Sequence, residues 1–142
     1  GYTYSGHPVS SAAALKNIEI IENEGLLEHV REISPYFQQR IKELRKLPLV
    51  RNTRGIGLVG CVECQIVDSE SHDTLEMDIE VGDRIDKNCQ ALGLIVRPLW
   101  NMCVFSPPLV INMEQIDEMF NILEKGIILT TNELRKEGLW KG

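Results

Sequence analysis

Apolar residues recur along this chain at two distinct spacings. Leu26, Val30, Ile33, Phe37, Ile41 and Leu44 follow at steps of three and four, which stacks them on one side of a helix. Pro35 falls inside the run without disturbing its phase, predicting one kinked helix, and Pro48 follows its end. Arg40, Lys42, Glu43, Arg45 and Lys46 read as its solvated face. Val81, Ile85, Cys89 and Leu92 repeat the pattern up to Gly93, a natural helix stop. A further helix carries Ile116, Met119, Phe120, Leu123 and Ile127 and continues past Leu134. Asn112, with Gln115 three residues on, has the spacing of a capping box at its start. Ahead of these, residues 10–24 read as a Ser/Ala-rich helix closed by Gly25. Strand material lies at 49–51 and 56–67, then in Leu94-Ile95-Val96 and Cys103-Val104-Phe105, the last two joined by a hairpin-like link over 98–102. The pattern predicts an α+β fold: two or three helices packed on one face of a small, largely antiparallel sheet.

Composition narrows the class. The 142 residues are 43% hydrophobic and 25% charged, a balance suited to one domain with a real core. A net charge of −6 argues against a nucleic-acid or anionic-membrane footprint. No apolar run approaches the roughly 20 residues of a membrane helix, and no basic, then apolar, leader is visible. Cys61 and Cys64 have zinc-like spacing, but an offset of three along a strand turns them to opposite faces. With Cys89 and Cys103 they are expected to be reduced structural thiols of a cytoplasmic protein, with no metal. Glu70, His72 and Asp73 could be drawn as a metal cluster, but they sit in a polar stretch expected to be a solvated loop.

Gly55-Ile56-Gly57-Leu58-Val59-Gly60 is a literal G-x-G-x-x-G. A dinucleotide fingerprint needs a helix opening on its last glycine, and the β-rich Cys61 to Val67 follows instead. The glycines are expected to allow close packing in a bulged, bent strand. The N-terminal run Gly1-Tyr2-Thr3-Tyr4-Ser5-Gly6-His7-Pro8-Val9 reads as a turn leading into a helix. Its hydroxyls and unpaired N–H groups suit either a helix cap or an anion, phosphate above all. Arg97, at the end of an apolar strand and before Pro98, is presented from a constrained backbone position. A guanidinium there suits a carboxylate gripped through two parallel hydrogen bonds, or a plain surface ion pair.

These segments carry a resemblance. Gly-Tyr-Thr-Tyr-Ser-Gly-His-Pro-Val with the following Ala-Ala-Ala-Leu, then Arg54 to Gly60, Gly93-Leu94-Ile95-Val96-Arg97-Pro98 and Ser106-Pro107-Pro108-Leu109, closely resemble class III aminotransferases. These are pyridoxal-phosphate enzymes of fold type I, and the likeness is greatest to the ω-amino-acid:pyruvate and diamine transaminases. The resemblance covers the whole chain but only the C-terminal third of such an enzyme. It implies a connecting loop and helix from the large domain over 1–24, and the small C-terminal domain over 25–142. It implies a parent that moves an amino group from an ω-amino acid or amine to a keto acid such as pyruvate, working as a homodimer.

Carried over residue by residue, the resemblance makes Arg97 the group that grips the substrate carboxylate and swings aside for amines lacking one. Thr3 and Tyr2 match positions that reach the phosphate of pyridoxal 5'-phosphate across the dimer interface, Thr3 through its hydroxyl and Tyr2 through a backbone N–H. Ser5 and His7 are expected to shape the loop. The Schiff-base lysine and the aspartate that pairs with the pyridine nitrogen fall upstream in the family, and Lys16 does not match. This segment alone is therefore expected to bind no cofactor and to be inactive. Trp100 departs from the small residue many relatives carry beside the arginine, which leaves substrate choice open. Without the upstream part, apolar surface near the first helix is expected to be exposed, with association or disorder of residues 1 to about 10. The rival reading is a stand-alone, non-catalytic α+β binding or dimerisation module.

Overall fold

The computed structural model describes residues 1–66 and 74–140. Glu70, His72 and Asp73 lie outside the described residues. Helix α1 (Pro8–Asn23) begins two residues earlier than the Ser/Ala run suggested. Proline is pre-organised for a first helical position, and the His7 ring accepts from Ser10 N–H at 3.4 Å as the cap. Helix α2 (Leu26–Glu43) runs unbroken through Pro35 and buries Ile33, Phe37 and Ile41, as the periodicity required. A 3-10 turn, Leu44–Lys46, leads out of it. Arg40 does not belong to the solvated face. It is mostly covered and reaches from α2 to Asp117 at 2.9 Å and Asn121 at 2.8 Å.

Strands β1 (Val50–Ile56) and β2 (Val59–Cys64) form a hairpin. Helix α3 (Thr74–Ala91), strands β3 (Arg97–Leu99) and β4 (Met102–Phe105), and helix α4 (Met113–Lys136) complete the order. The sheet runs β1-β2-β4-β3, every pair antiparallel. Its fold is α+β. Val62, Cys64, Cys103 and Phe105 point inward, where Phe37, Val81, Ile85, Ile116, Phe120, Leu123 and Ile127 meet them. Among the described residues no helix covers the other sheet face, which leaves Ile56, Val59 and Leu99 more than half exposed.

Two expectations need correction. The glycine triplet is not a bent strand but a hairpin: Ile56 pairs with Val59 and Gly55 with Gly60. Gly57, at φ +58°, starts the two-residue turn, the handedness that matches strand twist. Gln38 of α2 holds this turn by donating to the Gly57 and Val59 carbonyls at 2.9 and 3.1 Å. The bulge lies instead between Val50 and Asn52. Second, the strand expected at 94–96 is displaced to Arg97–Leu99. After α3 the chain turns back, with Leu94 N–H donating to Cys89 O at 2.9 Å. Val96 then anchors in the core while Ile95 stays exposed. Arg97 therefore opens a strand rather than ending one.

The capping box at α4 is complete. Gln115 N–H donates to Asn112 Oδ1 at 2.9 Å, and Asn112 N–H to Gln115 Oε1 at 3.1 Å. Asn112→Ala is expected to cost about 1 kcal/mol, read as a fall of a few degrees in Tm. An unchanged Tm would show that the cap contributes nothing. At the far end of α4, Arg84 of α3 grips Glu137 at 2.7 and 2.8 Å, tying the two long helices together.

Candidate functional site: an open sheet face and an N-terminal turn

Arg97 stands exposed on the helix-free sheet face, opposite Val104 of β4. Side chains alternate along a strand, so Leu99 shares that face while Pro98 turns inward toward α3. The residues that follow it, Pro98, Leu99 and Trp100, line a cavity of about 330 Å³ together with Met102. Among the described residues Arg97 makes no ion pair, whereas Arg54 on the same face is matched to Glu63 at 2.9 Å. A guanidinium next to an apolar hollow can bind a carboxylate whose remainder is apolar.

The turn after Arg97-Pro98-Leu99 is unusual. Trp100 holds φ +57°, a left-handed geometry that bulky residues seldom adopt. Asn101 is buried beside it, and its carbonyl accepts Cys64 N–H at 2.9 Å. The turn rests on α3 at Gly82, where a Cβ would lie 1.8 Å from the Trp100 carbonyl oxygen. Sequence reasoning passed over Gly82. Its signal was a glycine in the interior of an amphipathic helix, which costs about 1 kcal/mol relative to alanine and so invites a packing reason.

The second group of residues lies at the N-terminus. Ser5 N–H donates to Tyr2 O at 3.0 Å and His7 N–H to Tyr4 O at 3.2 Å, closing a tight turn before α1. The Tyr2 N–H is spent on Ser5 Oγ at 3.1 Å, so in this turn it is not a free donor. The side chains of Tyr2 and Thr3 are exposed, and the Thr3 hydroxyl has no hydrogen-bond partner among the described residues. One free hydroxyl fits a phosphate as a supplementary donor. No hydrogen bond or ion pair joins this turn to Arg97 among the described residues. Helix α1 itself buries none of its side chains.

All four cysteines are free and buried. Cys61 pairs with Val104 on the open face while Cys64 points into the core, the separation expected from their spacing. Among the described residues no set of three or more His, Cys, Asp or Glu is arranged to hold a metal ion. Burial pushes the Cys64 and Cys103 thiols well up from the ordinary 9.0 and Cys89 to about 12. The Tyr36 phenol is raised too, mainly by its hydrogen bond to Asp117 at 2.6 Å. Each such acid ionises more readily in the unfolded chain. The stabilisation is therefore complete below about pH 9 and is lost as pH climbs toward 12. The urea midpoint is expected to fall steadily between about pH 9 and 10.5; a flat or rising midpoint would contradict it. No helix among the described residues is long and apolar enough to cross a membrane.

The profile of the family described as aminotransferase class-III matches residues 1–127. This chain is a class-III aminotransferase sequence. It is 39% identical over 141 residues to an uncharacterized aminotransferase of Sinorhizobium fredii, covering 97% of this chain and 30% of that protein. It is 41% identical over 126 residues to the putrescine–pyruvate aminotransferase of Pseudomonas aeruginosa, covering 88% and 27%. Its fold superposes on a pyridoxamine-phosphate-bound aminotransferase from Vibrio fluvialis with a TM-score of 0.81 and 40% identity, covering 94% and 29%. This class-III chain thus spans less than a third of each of these relatives.

Proposed function

We propose that this chain supplies the carboxylate anchor and one phosphate contact of a pyridoxal-phosphate transaminase. The complete polypeptide would pass an amino group from an ω-amino acid or amine to a keto acid such as pyruvate. The observation that carries this reading is Arg97: an exposed arginine with no ion pair among the described residues, followed along its strand and turn by the residues that line an apolar hollow. Arg97 binds the carboxylate through paired N–H donors, which fixes the substrate's orientation. Leu99, Trp100 and Met102 would offer an apolar wall to the remainder of the bound acid. When an amine without a carboxylate enters, the long arginine side chain swings out to solvent. Pyridoxal phosphate, when bound, supplies the electron sink for the transfer.

Thr3 would donate its hydroxyl to a phosphate oxygen of the cofactor held by a second subunit, making the working unit a homodimer. The lysine that carries proton transfer in the family has no counterpart here, so turnover belongs to the complete polypeptide. The bare surface of α1 supports assigning 1–24 to a large domain and 25–142 to a small one. Four reduced thiols favour a cytoplasmic setting. The test is borohydride reduction of the complete native polypeptide followed by intact mass. A mass increase matching one reduced pyridoxal-phosphate adduct per chain is expected, with none on residues 1–142 alone. A pure native polypeptide without the adduct would overturn the proposal.

A further inference from the structure

We propose that Gly82 on α3 is a positioning residue for Arg97: lacking a side chain, it seats the Trp100 carbonyl and so sets where β3 holds the guanidinium. This rests on the reading of Arg97 as the carboxylate anchor. Gly82 is buried. A Cβ there would meet Trp100 O at 1.8 Å, Trp100 C at 2.9 Å and Pro98 Cβ at 3.0 Å. All three belong to stiff parts of the chain, two to a peptide group and one to a proline ring. Relieving the contact needs a shift of roughly 1.5 Å.

That shift has one easy direction. On the far side of the turn, Asn101 is buried and its carbonyl holds Cys64 N–H of β2. Cys103, next along β4, has no exposed surface. On the near side, β3 is three residues long and, among the described residues, paired only with β4. The edge strand must therefore yield, carrying Pro98 and Arg97 away from α3. Two parallel N–H···O bonds tolerate little misalignment, and a displacement near 1 Å costs about a hundredfold in demanding geometries.

The experiment is a mutant cycle in the complete polypeptide, read separately on a keto-acid acceptor and on a carboxylate-free amine donor. Gly82→Ala is expected to raise KM for the keto acid about tenfold or more, with kcat/KM for the amine within about twofold of wild type. In an Arg97→Ala background the same change should add less than about twofold, because the anchor it positions is gone. Equal losses on both substrates, or full additivity with Arg97→Ala, would reduce Gly82 to a packing role and overturn the proposal. A keto-acid KM untouched by Arg97→Ala would remove the anchor itself, a different failure. If Gly82→Ala does not fold, Gly82→Ala with Trp100→Gly gives the turn room to retreat. A folded double variant whose keto-acid KM is raised several-fold above that of Trp100→Gly alone supports the proposal; one with the KM of Trp100→Gly alone overturns it.

Discussion

Arg97→Ala in the complete polypeptide is expected to raise KM for a keto acid by about a hundredfold. Removing one partner of a hydrogen-bonded charge pair costs about 2–5 kcal/mol, and each 1.36 kcal/mol is a factor of ten. The lower half of that range applies, because Arg97 sits on an exposed strand where water still competes. A carboxylate-free amine never uses the guanidinium, so its kcat/KM is expected to hold. Arg97→Lys should recover only part of the loss, since a point charge lacks the planar fork that aligns both carboxylate oxygens. Steady-state kinetics on the two substrate classes checks this directly. A loss shared equally by amine and keto acid would place Arg97 outside carboxylate binding.

The largest stability effect is expected at Phe120. Its ring is fully buried between Phe37 of α2, with centroids 5.2 Å apart, and Phe105 of β4, at 5.7 Å. It is the point where two helices and the sheet meet. Phe120→Ala is expected to cost about 3–5 kcal/mol, a large share of the 5–15 kcal/mol that holds a typical domain together. The loss combines lost transfer energy, two ring contacts and a cavity that neighbours on three elements cannot jointly close. Urea unfolding should show a lower midpoint at unchanged slope. A loss near 1 kcal/mol would mean the cluster is loosely packed. The open sheet face lies on the other side, so the two variants should fail in separable ways, one in stability and one in substrate choice.

The sequence was most legible where one element decides its own fate. The stripe of Ile116, Phe120, Leu123 and Ile127 and the Asn112–Gln115 box are local patterns, and both formed as written. So did the phase of α2 across Pro35. Legibility failed where pairing decides. Leu94-Ile95-Val96 is more apolar than Arg97-Pro98-Leu99, yet the latter pairs with β4 because the turn at Trp100-Asn101 sets the register. The glycine triplet misled for the same reason: a bulge and a hairpin turn use the same residue type, and only the partner strand separates them. At the site, Arg97 was marked by its proline neighbour and by family resemblance. Gly82 carried only the weak mark of a glycine inside an amphipathic helix. It acts through a contact between residues 18 positions apart, which no local pattern encodes.

The two edges of the sheet bear on how this chain behaves among its own kind. Exposed strand edges invite other chains to add on, and proteins blunt them with short strands, prolines, charges and bulges. Here β3 is three residues long with Pro98 at its centre, so one of its backbone donors does not exist. The opposite edge, β1, carries Arg51 and Arg54 and is broken by the bulge between Val50 and Asn52. Neither edge can template a long ladder. Self-association driven by the apolar residues of α1 and the open sheet face should therefore proceed face to face rather than by strand addition.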